Sequence, residues 1–253
     1  MGSKGNRRHT KRLNTSKYTH INKKRYTFYL NTRPGTHSKD QSIPLISLLR
    51  DILKVAKNRK EAQIILNDGK VFVDGVVRKD GRFPVGLMDV VDIPLLKKAY
   101  RMLPHPKKGL YPLEIPDKEK SFKLCRIENK STVKGGHIQL NLHDGRNITI
   151  EVKDPTKPKE DKYKTMGVLK ITLPEQEIKN YYPLNEESPI LVVQGKNLGM
   201  TGSITEISKQ FGPNANIVKI ATREDVIHET AYAYSFVLGN KRSVISLFEE
   251  SKT

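Results

Sequence analysis

Cysteine and tryptophan are nearly absent from this 253-residue chain, which has one Cys and no Trp. A single cysteine excludes an intramolecular disulfide and a multi-cysteine zinc ribbon. We expect Cys125, which lies among apolar residues of a predicted strand, to be a small core residue. No apolar run approaches about 18 residues, so no membrane-spanning helix is predicted. The basic start of the chain has no apolar stretch behind it, and we expect a soluble, intracellular protein without a membrane partner.

Acidic residues are also scarce. The chain carries 46 Lys and Arg against 27 Asp and Glu, a formal net charge of +19, and residues 1–39 contain no acidic residue. Such a charge attracts polyanions and repels a second copy of the chain, so we predict a nucleic-acid partner and no homo-oligomer. The apolar fraction of 36% is low for a globular protein and favours small cores with basic connections.

Residues 1–41 combine many cations with interleaved aromatic side chains. Because a segment of this composition cannot bury enough apolar surface to fold alone, we predict that it is extended and becomes ordered against RNA. A solubilising or nuclear-import tail is the alternative interpretation. The cations of this segment that we predict to contact RNA are Lys4, Arg7, Arg8, Lys11, Arg12, Lys23, Lys24 and Arg25.

The stretch from residue 42 onwards begins with the pattern of an amphipathic helix. Apolar residues recur at the spacing of one buried face, namely at Leu45, Leu49, Ile52, Leu53 and Ala56. Ser42 is predicted to cap this helix, with Pro44 in its first turn. Arg50, Lys54 and Lys57 repeat at i, i+4 and i+7 and are predicted to form one positive stripe. Like charges so placed repel each other, which favours a bound polyanion over a merely solvated basic face.

A second helix is predicted to begin at Asn58, whose side chain can cap it while Glu61 completes a capping box. Arg59 and Lys60 occupy its first turn, where cations are unfavourable unless a phosphate binds. The predicted apolar side of this helix consists of Ile64, Ile65 and Leu66. Gly69 is placed to end the helix in the left-handed conformation.

The rest of the chain has mainly β patterns. Asp74-Gly75 predicts a two-residue hairpin, and the prolines between residues 94 and 116 predict an irregular boundary. Residues 138–142 alternate strictly between apolar and polar and precede the turn signal Asp144-Gly145. His137 and His143 are predicted to lie on an exposed face without binding metal.

Near the end of the chain, a glycine-containing loop separates two predicted strands of a small barrel. Gly195, Gly199 and Gly202 permit positive φ and a close backbone approach. The loop lacks both the Gly-Lys-Ser/Thr ending and the Gly-x-Gly-x-x-Gly spacing of nucleotide-binding loops, so no nucleotide site is predicted.

The order of these segments resembles one family. Residues 42–93 are similar to the S-four RNA-binding domain, and residues 195–207 with the preceding strand resemble the KOW motif, an RNA- and protein-binding loop of a small β-barrel. A basic tail, an S-four unit, a β-rich middle and a KOW barrel in this order are similar to the S-four-e family of small-subunit ribosomal proteins. Further matching stretches are Phe83–Val90, Lys123–Arg126, His143–Asn147, Asn197–Gly199 and Phe236–Gly239.

The resemblance implies an α+β multidomain protein. Its parts are a basic extended N-terminal tail (1–41), an α/β S-four-like RNA-binding domain (42–105), a β-rich central domain (106–173) and a small SH3-like KOW β-barrel with a C-terminal segment (174–253). The implied function is that of a structural constituent of the small ribosomal subunit, cytoplasmic within ribosomes, bound to small-subunit rRNA and neighbouring ribosomal proteins, without a cofactor. The expected phosphate contacts outside the tail are Arg50, Lys54, Lys57, Arg59, Lys60, Lys196 and Asn197.

Two other classes of function remain as alternatives. An rRNA-modifying enzyme is one, since S-four units accompany pseudouridine synthases, whose chemistry needs a nucleophilic Asp. Asp144 is explained by its hairpin turn, and no catalytic constellation stands out elsewhere. A free RNA chaperone or transcription-coupled factor is the other alternative, and sedimentation with ribosomal subunits would distinguish it.

Overall fold

The N-terminal segment is folded against the rest of the protein. The computed structural model describes residues 10–16, 18–154, 160–208, 216–222 and 226–248. Strand β1 (Thr10–Lys11) pairs with β2 (Phe28–Tyr29), and Thr19 forms a parallel bridge with Leu110. The prediction of an extended tail is therefore wrong for its described residues. Tyr18 packs against the core formed by residues 43–110. The rest of the protein therefore supplies the apolar surface that this segment lacks.

The first helix is much shorter than predicted. Strand β3 (Ile43–Pro44) leads into α1 (Leu45–Ser47), which continues as a π-helical turn (Leu48–Ile52). The helix ends because Lys54 has a left-handed backbone, with φ of 56°. Ser42 does not cap it, because its hydroxyl donates to the carbonyl oxygen of Ser38 at 2.7 Å.

The second helix, α2 (Arg59–Asn67), follows its prediction closely. The Asn58 side chain accepts a hydrogen bond from the Glu61 backbone nitrogen at 2.9 Å, which confirms the cap. The Glu61 carboxylate accepts from the Lys57 nitrogen and not from that of Asn58, so the capping box is shifted by one residue. The helix buries Ala62 and Leu66, whereas Ile64 is 60% exposed, contrary to its predicted place on the apolar side. Gly69 ends the helix with φ of 71°, as predicted.

The first five-stranded antiparallel sheet follows α2. Its strands are β4 (Phe72–Val73), β5 (Val76–Val77), β7 (Val90–Ile93), β8 (Lys98–His105) and β9 (Gly109–Ile115). Between β5 and β7 in the chain, the short strand β6 (Pro84–Val85) pairs with β3 and not with this sheet. The sheet order is β5-β4-β7-β8-β9. Asp74 and Gly75 both have positive φ, which confirms the predicted two-residue turn.

The proline-rich stretch is a regular hairpin and not the irregular segment we predicted. Pro104 and Pro112 lie within β8 and β9, which pair from Ala99–Ile115 to His105–Gly109. Proline is tolerated where no ladder donor is needed. Pro112 is on an edge strand, and Pro104 lies beyond the part of β8 that pairs with β7.

A second five-stranded sheet is built around the long strand β10. Its strands are β10 (Phe122–Thr132), β11 (Ile138–Leu142), β12 (Asn147–Ile150), β13 (Val168–Thr172) and β14 (Ile178–Tyr182), in the order β12-β11-β10-β13-β14. The predicted alternation is confirmed, because Ile138, Leu140 and Leu142 are buried. Cys125 is also fully buried in the same core, as predicted.

The third five-stranded sheet follows β14 in the chain. Its strands are β15 (Pro189–Val192), β16 (Thr201–Ser208), β17 (Ile217–Ala221), β18 (Ile227–Ala231) and β19 (Ser235–Val237), in the order β18-β17-β16-β15-β19. Phe122 and Leu124 of β10 share a core with Ile190 and Phe236 of this sheet. None of the described helices is long and apolar enough to cross a membrane.

Candidate nucleic-acid interface

Four exposed cations precede and begin α2. They are Lys54, Lys57, Arg59 and Lys60, here called the 54–60 patch. None of them takes part in an ion pair among the described residues. The nearby Glu61 carboxylate is occupied by the Lys57 backbone nitrogen at 2.8 Å. The patch therefore presents positive charge beside the N-terminal end of a helix, where unpaired backbone N–H groups also favour anions.

Arg50 is not part of this patch, and the predicted stripe of Arg50, Lys54 and Lys57 on one helix is wrong. The left-handed residue Lys54 ends the helix before the stripe could form. The Arg50 guanidinium instead binds the adjacent Asp51 carboxylate through two contacts of 2.8 and 2.7 Å. Its charge is therefore partly neutralised by a carboxylate that the Arg12 guanidinium also approaches.

Arg12 is a structural residue. Its side chain is 3% exposed, donates to the carbonyl oxygen of Asn22 at 2.8 Å and lies 3.8 Å from the Asp51 carboxylate. Asp51 thus joins the N-terminal segment to the first helix through Arg12. The predicted RNA contact of Arg12 stays a prediction, and in this structure its guanidinium is engaged by Asn22 and Asp51.

The other predicted cations of the N-terminal segment differ in their accessibility. Lys11, Lys24 and Arg25 are exposed, while Lys23 donates to the carbonyl oxygen of Thr15 at 3.1 Å. The Arg25 guanidinium lies 5.3 Å from the centre of the Tyr26 ring, within cation–π range. The remaining three, Lys4, Arg7 and Arg8, lie outside the described residues.

Lys196 and Asn197, in the loop between β15 and β16, have different environments. Lys196 is exposed, whereas the Asn197 amide donates to the carbonyl oxygen of Glu229 at 3.2 Å. Asn197 thereby holds the loop against β18. Lys196 has no ion-pair partner among the described residues, so its ammonium group is open to an external ligand.

A buried ion network was missed by the sequence interpretation. Lys123 of β10 is fully buried, and its ammonium nitrogen lies 2.9 Å from Asp74, 2.5 Å from Asp89 and 2.9 Å from Asp144. Arg146 contacts Asp74 at 2.7 Å and Asp144 at 3.3 Å. These five residues, here called the buried ion network, connect the turn after β4, the start of β7, strand β10 and the turn after β11.

Each carboxylate of the network is satisfied by hydrogen bonds. Asp74 also accepts from the Val90 nitrogen at 2.9 Å, and Asp89 accepts from the Gly86 nitrogen at 2.8 Å. The His37 ring nitrogen Nε2 lies 3.0 Å from Asp89. Because His37 belongs to the N-terminal segment, the network also anchors that segment to the sheets.

The network shifts the pKa values of its members. Burial alone would lower the pKa of Lys123, but the three carboxylates outweigh burial and raise it well above its ordinary value. Burial acts to raise the pKa of Asp144, yet Lys123 and neighbouring positive groups hold it far below the ordinary value. Lys123 is therefore a permanently charged structural cation and not a nucleophile.

Cys125, His143 and Asp144 place potential metal ligands within 4.8 Å of one another. The polar atoms of these residues already bond within the protein, and the Cys125 thiol itself donates to Asp144 at 3.5 Å. His143 Nδ1 accepts from the Arg126 nitrogen at 3.1 Å, and Nε2 lies 3.3 Å from the Leu87 carbonyl oxygen. The nearest Asp144 oxygen is bound by Lys123, so these residues do not fit a metal site.

His143 is not on an exposed face, contrary to its prediction. Its ring is packed edge-on against Phe236, with centroids 5.6 Å apart. Burial lowers the pKa of His143 to about 3, although Asp144 acts in the opposite direction. The imidazole is therefore neutral at physiological pH. His137 is also half-buried, with Nδ1 accepting from the Val152 nitrogen at 3.1 Å.

Two family models match consecutive parts of the chain. The model of the S4 domain matches residues 45–91, which include both helices and the 54–60 patch, and thus places the chain among S4-domain proteins. The model described as "Ribosomal family S4e" matches residues 96–178, and this range contains β8 to β13 and ends at the first residue of β14. The two matches adjoin each other in the order predicted from the sequence.

Curated relatives match along nearly the whole chain. Proteins named small ribosomal subunit protein eS4 are 45% identical in Desulfurococcus amylolyticus, over 98% of this chain and 99% of the relative, and 46% identical in Ignicoccus hospitalis, over 97% and 96%. The crystal structure of 30S ribosomal protein S4e from Thermoplasma acidophilum is similar with a TM-score of 0.66 and 29% identity, over 80% of this chain and 97% of that one. The chain belongs to the eS4 family of ribosomal proteins, which confirms the resemblance.

Proposed function

We propose that the chain is a structural constituent of the small ribosomal subunit and binds small-subunit rRNA by neutralising phosphates. It functions within ribosomes in the cytoplasm, beside neighbouring ribosomal proteins, as a single copy without a membrane or cofactor partner. Its family membership supports this function, because the relatives are named as proteins of the small subunit.

The 54–60 patch is the observation that carries the proposal. Its four cations are exposed and unpaired among the described residues, at a place where a helix begins and its backbone donors point outward. Cations at the N-terminal end of a helix mildly destabilise the free protein, because they repel the positive end of the helix dipole. A bound phosphate attracts both the cations and the helix end, so in the complex the same cations are favourable. Lys11, Lys24, Arg25 and Lys196 add further exposed charge on other elements.

We further propose the four-part division at residues 41, 105 and 173, with a KOW-type barrel after the last boundary. Positive φ values at Gly195 and Gly199, in the loop between β15 and β16, support the KOW assignment. The boundaries at 105 and 173 each separate two strands that pair in the same sheet, so these sheets extend across the proposed parts. Strand β9 pairs with β8 of the preceding part, and β14 pairs with β13 of the central sheet.

An rRNA-modifying enzyme is the less favoured function. The candidate nucleophile Asp144 is fully buried, and Lys123 and Arg146 bind its carboxylate. RNA cannot reach this carboxylate without opening the core. A turnover assay on a small-subunit rRNA fragment, with wild type and Asp144→Asn, is expected to detect no base modification by either protein.

Sedimentation tests the structural assignment. Full-length protein added to small subunits that lack it is expected to co-sediment with them and to remain bound through moderate salt. A free RNA-binding factor would instead be washed off under the same conditions. Arg59→Gln/Lys60→Gln is expected to reduce incorporation, whereas Lys97→Gln/Lys118→Gln, which removes the same charge from exposed sites elsewhere, is expected to incorporate normally.

A further inference from the structure

A groove separates the N-terminal segment from the third sheet. It consists of two adjoining cavities of about 800 and 550 Å³. Both cavities are lined by Tyr18 and Gln41 on one side and by Gln194 and Tyr234 on the other. The groove therefore continues from the stretch 32–39 to the turn between β8 and β9.

The groove has an excess of positive charge. Lys39 lines the first cavity, and Lys107 and Lys196 line the second, and all three are exposed. None of the three is in an ion pair among the described residues. The acidic residues of the lining are Asp40 and Glu128, and Glu128 is already bound by the Arg126 guanidinium at 2.6 Å.

An aromatic ring lies where the two cavities meet. Tyr234 is half-buried and packs beside Gly195, where an added Cβ would come within 3.2 Å of the ring. Gly195 also has φ of 87°, so this position favours glycine on two grounds. The loop thus keeps its backbone close to the ring and leaves part of the ring facing the groove.

We propose that this groove binds an unpaired RNA segment, whose phosphates contact Lys39, Lys107 and Lys196 and one of whose bases stacks on Tyr234. This inference rests on the proposed function and assigns part of the bound rRNA to a second surface. Positive grooves with aromatic rings are characteristic of single-strand binding. A duplex keeps its bases stacked inside and cannot offer one to a ring in a cavity of this size, whereas an unpaired segment can.

Two probes separate this groove from the 54–60 patch, namely a 12-nucleotide oligouridine and a 12-base-pair RNA duplex. Binding of each to the full-length protein is measured by fluorescence anisotropy. Lys107→Gln/Lys196→Gln is expected to weaken oligouridine binding by roughly tenfold and duplex binding by less than about twofold. The control Lys97→Gln/Lys118→Gln removes the same charge from exposed sites elsewhere and is expected to change neither.

Tyr234→Leu tests the stacking contact, because leucine keeps apolar volume beside Gly195. Removing one stacking interaction is expected to weaken oligouridine binding by ~5-fold or more. Thermal unfolding of the variant shows whether the fold is retained. If it is not, crosslinking of 4-thiouridine RNA to the wild-type protein replaces the variant, and a crosslink within residues 194–198 or at Tyr234 is expected.

The outcomes distinguish this inference from the function on which it rests. If the wild type binds neither probe, nor small-subunit rRNA, the proposed function fails. If it binds both probes and the groove variant equals its control, or crosslinks lie outside the groove, the inference is overturned. Binding of an acidic peptide that oligouridine cannot displace would overturn it too, because the groove would then recognise protein.

Discussion

The ammonium nitrogen of Lys123 lies 2.9 Å from the carboxylate of Asp74, a residue 49 positions earlier in the chain, and their side chains are 0% and 5% exposed. This contact joins the turn of the first sheet to the central strand of the second. Asp144 and Asp89 contact the same nitrogen, so one cation fixes three turns. The orientation of the two sheets therefore depends on Lys123.

Lys123→Met is expected to destabilise the protein by about 3–5 kcal/mol, because removing the cation leaves three buried carboxylates with too little positive charge. Urea unfolding at pH 7 measures the change. Lys118→Met, at an exposed position, is the control and is expected to change stability by less than about 0.5 kcal/mol. A decrease below about 1 kcal/mol for Lys123→Met would show that the network contributes little.

The stability of the protein is expected to fall between pH 6.5 and 4.5. Burial lowers the pKa of His143 to about 3, whereas in the unfolded chain it stays near 6.5. As pH falls through this window the unfolded state binds up to one more proton at His143 than the folded state, so this residue lowers the unfolding free energy by up to about 1.4 kcal/mol per pH unit. The stabilisation is fully present above pH 6.5 and is lost towards pH 3.

His143→Gln is the matched variant for this pH dependence. It is expected to flatten the slope between pH 6.5 and 4.5 even though it lowers stability at pH 7. Some slope will remain, because burial also lowers the pKa of His105. An unchanged slope in the variant would mean that another group accounts for the pH dependence.

Arg12 and Lys11 are adjacent but are expected to differ in their effects. Arg12→Ala removes the hydrogen bond to Asn22 and the contact with Asp51, and should release the N-terminal segment. Limited proteolysis is expected to cleave this variant faster between residues 10 and 42. Lys11→Ala, at an exposed position, should leave the cleavage rate unchanged and weaken RNA binding. Equal cleavage of both variants would contradict the structural assignment of Arg12.

Local sequence signals predicted the second helix and the turns correctly. The Asn58 cap, the Gly69 stop and the turn at Asp74-Gly75 each depend on a few neighbouring residues, and the structure has all three. The end of the first helix had no such signal. Lys54 takes the left-handed conformation without being Gly or Asn, so the periodic pattern continued past the true end of the helix.

The buried ion network could not be predicted from local patterns, because its members come from distant turns and one strand. Lys123 lies directly between the apolar residues Phe122 and Leu124 in β10, which was the one available signal. A lysine in such a place is ordinarily exposed unless it is paired. Its partners Asp74 and Asp144 each had a sufficient explanation as turn residues, so nothing indicated that their carboxylates met.

The salt dependence of rRNA binding tests the central claim most directly. The dissociation constant for a small-subunit rRNA fragment is measured from 50 to 200 mM salt for wild type, for Lys54→Gln/Lys57→Gln/Arg59→Gln/Lys60→Gln, and for the control Lys97→Gln/Lys118→Gln/Lys162→Gln/Lys179→Gln. Removing one cation that binds a phosphate reduces the logarithmic salt slope by about one. We predict a slope reduced by roughly three to four for the 54–60 patch variant and unchanged for the control. Equal slopes for all three folded proteins would contradict the account.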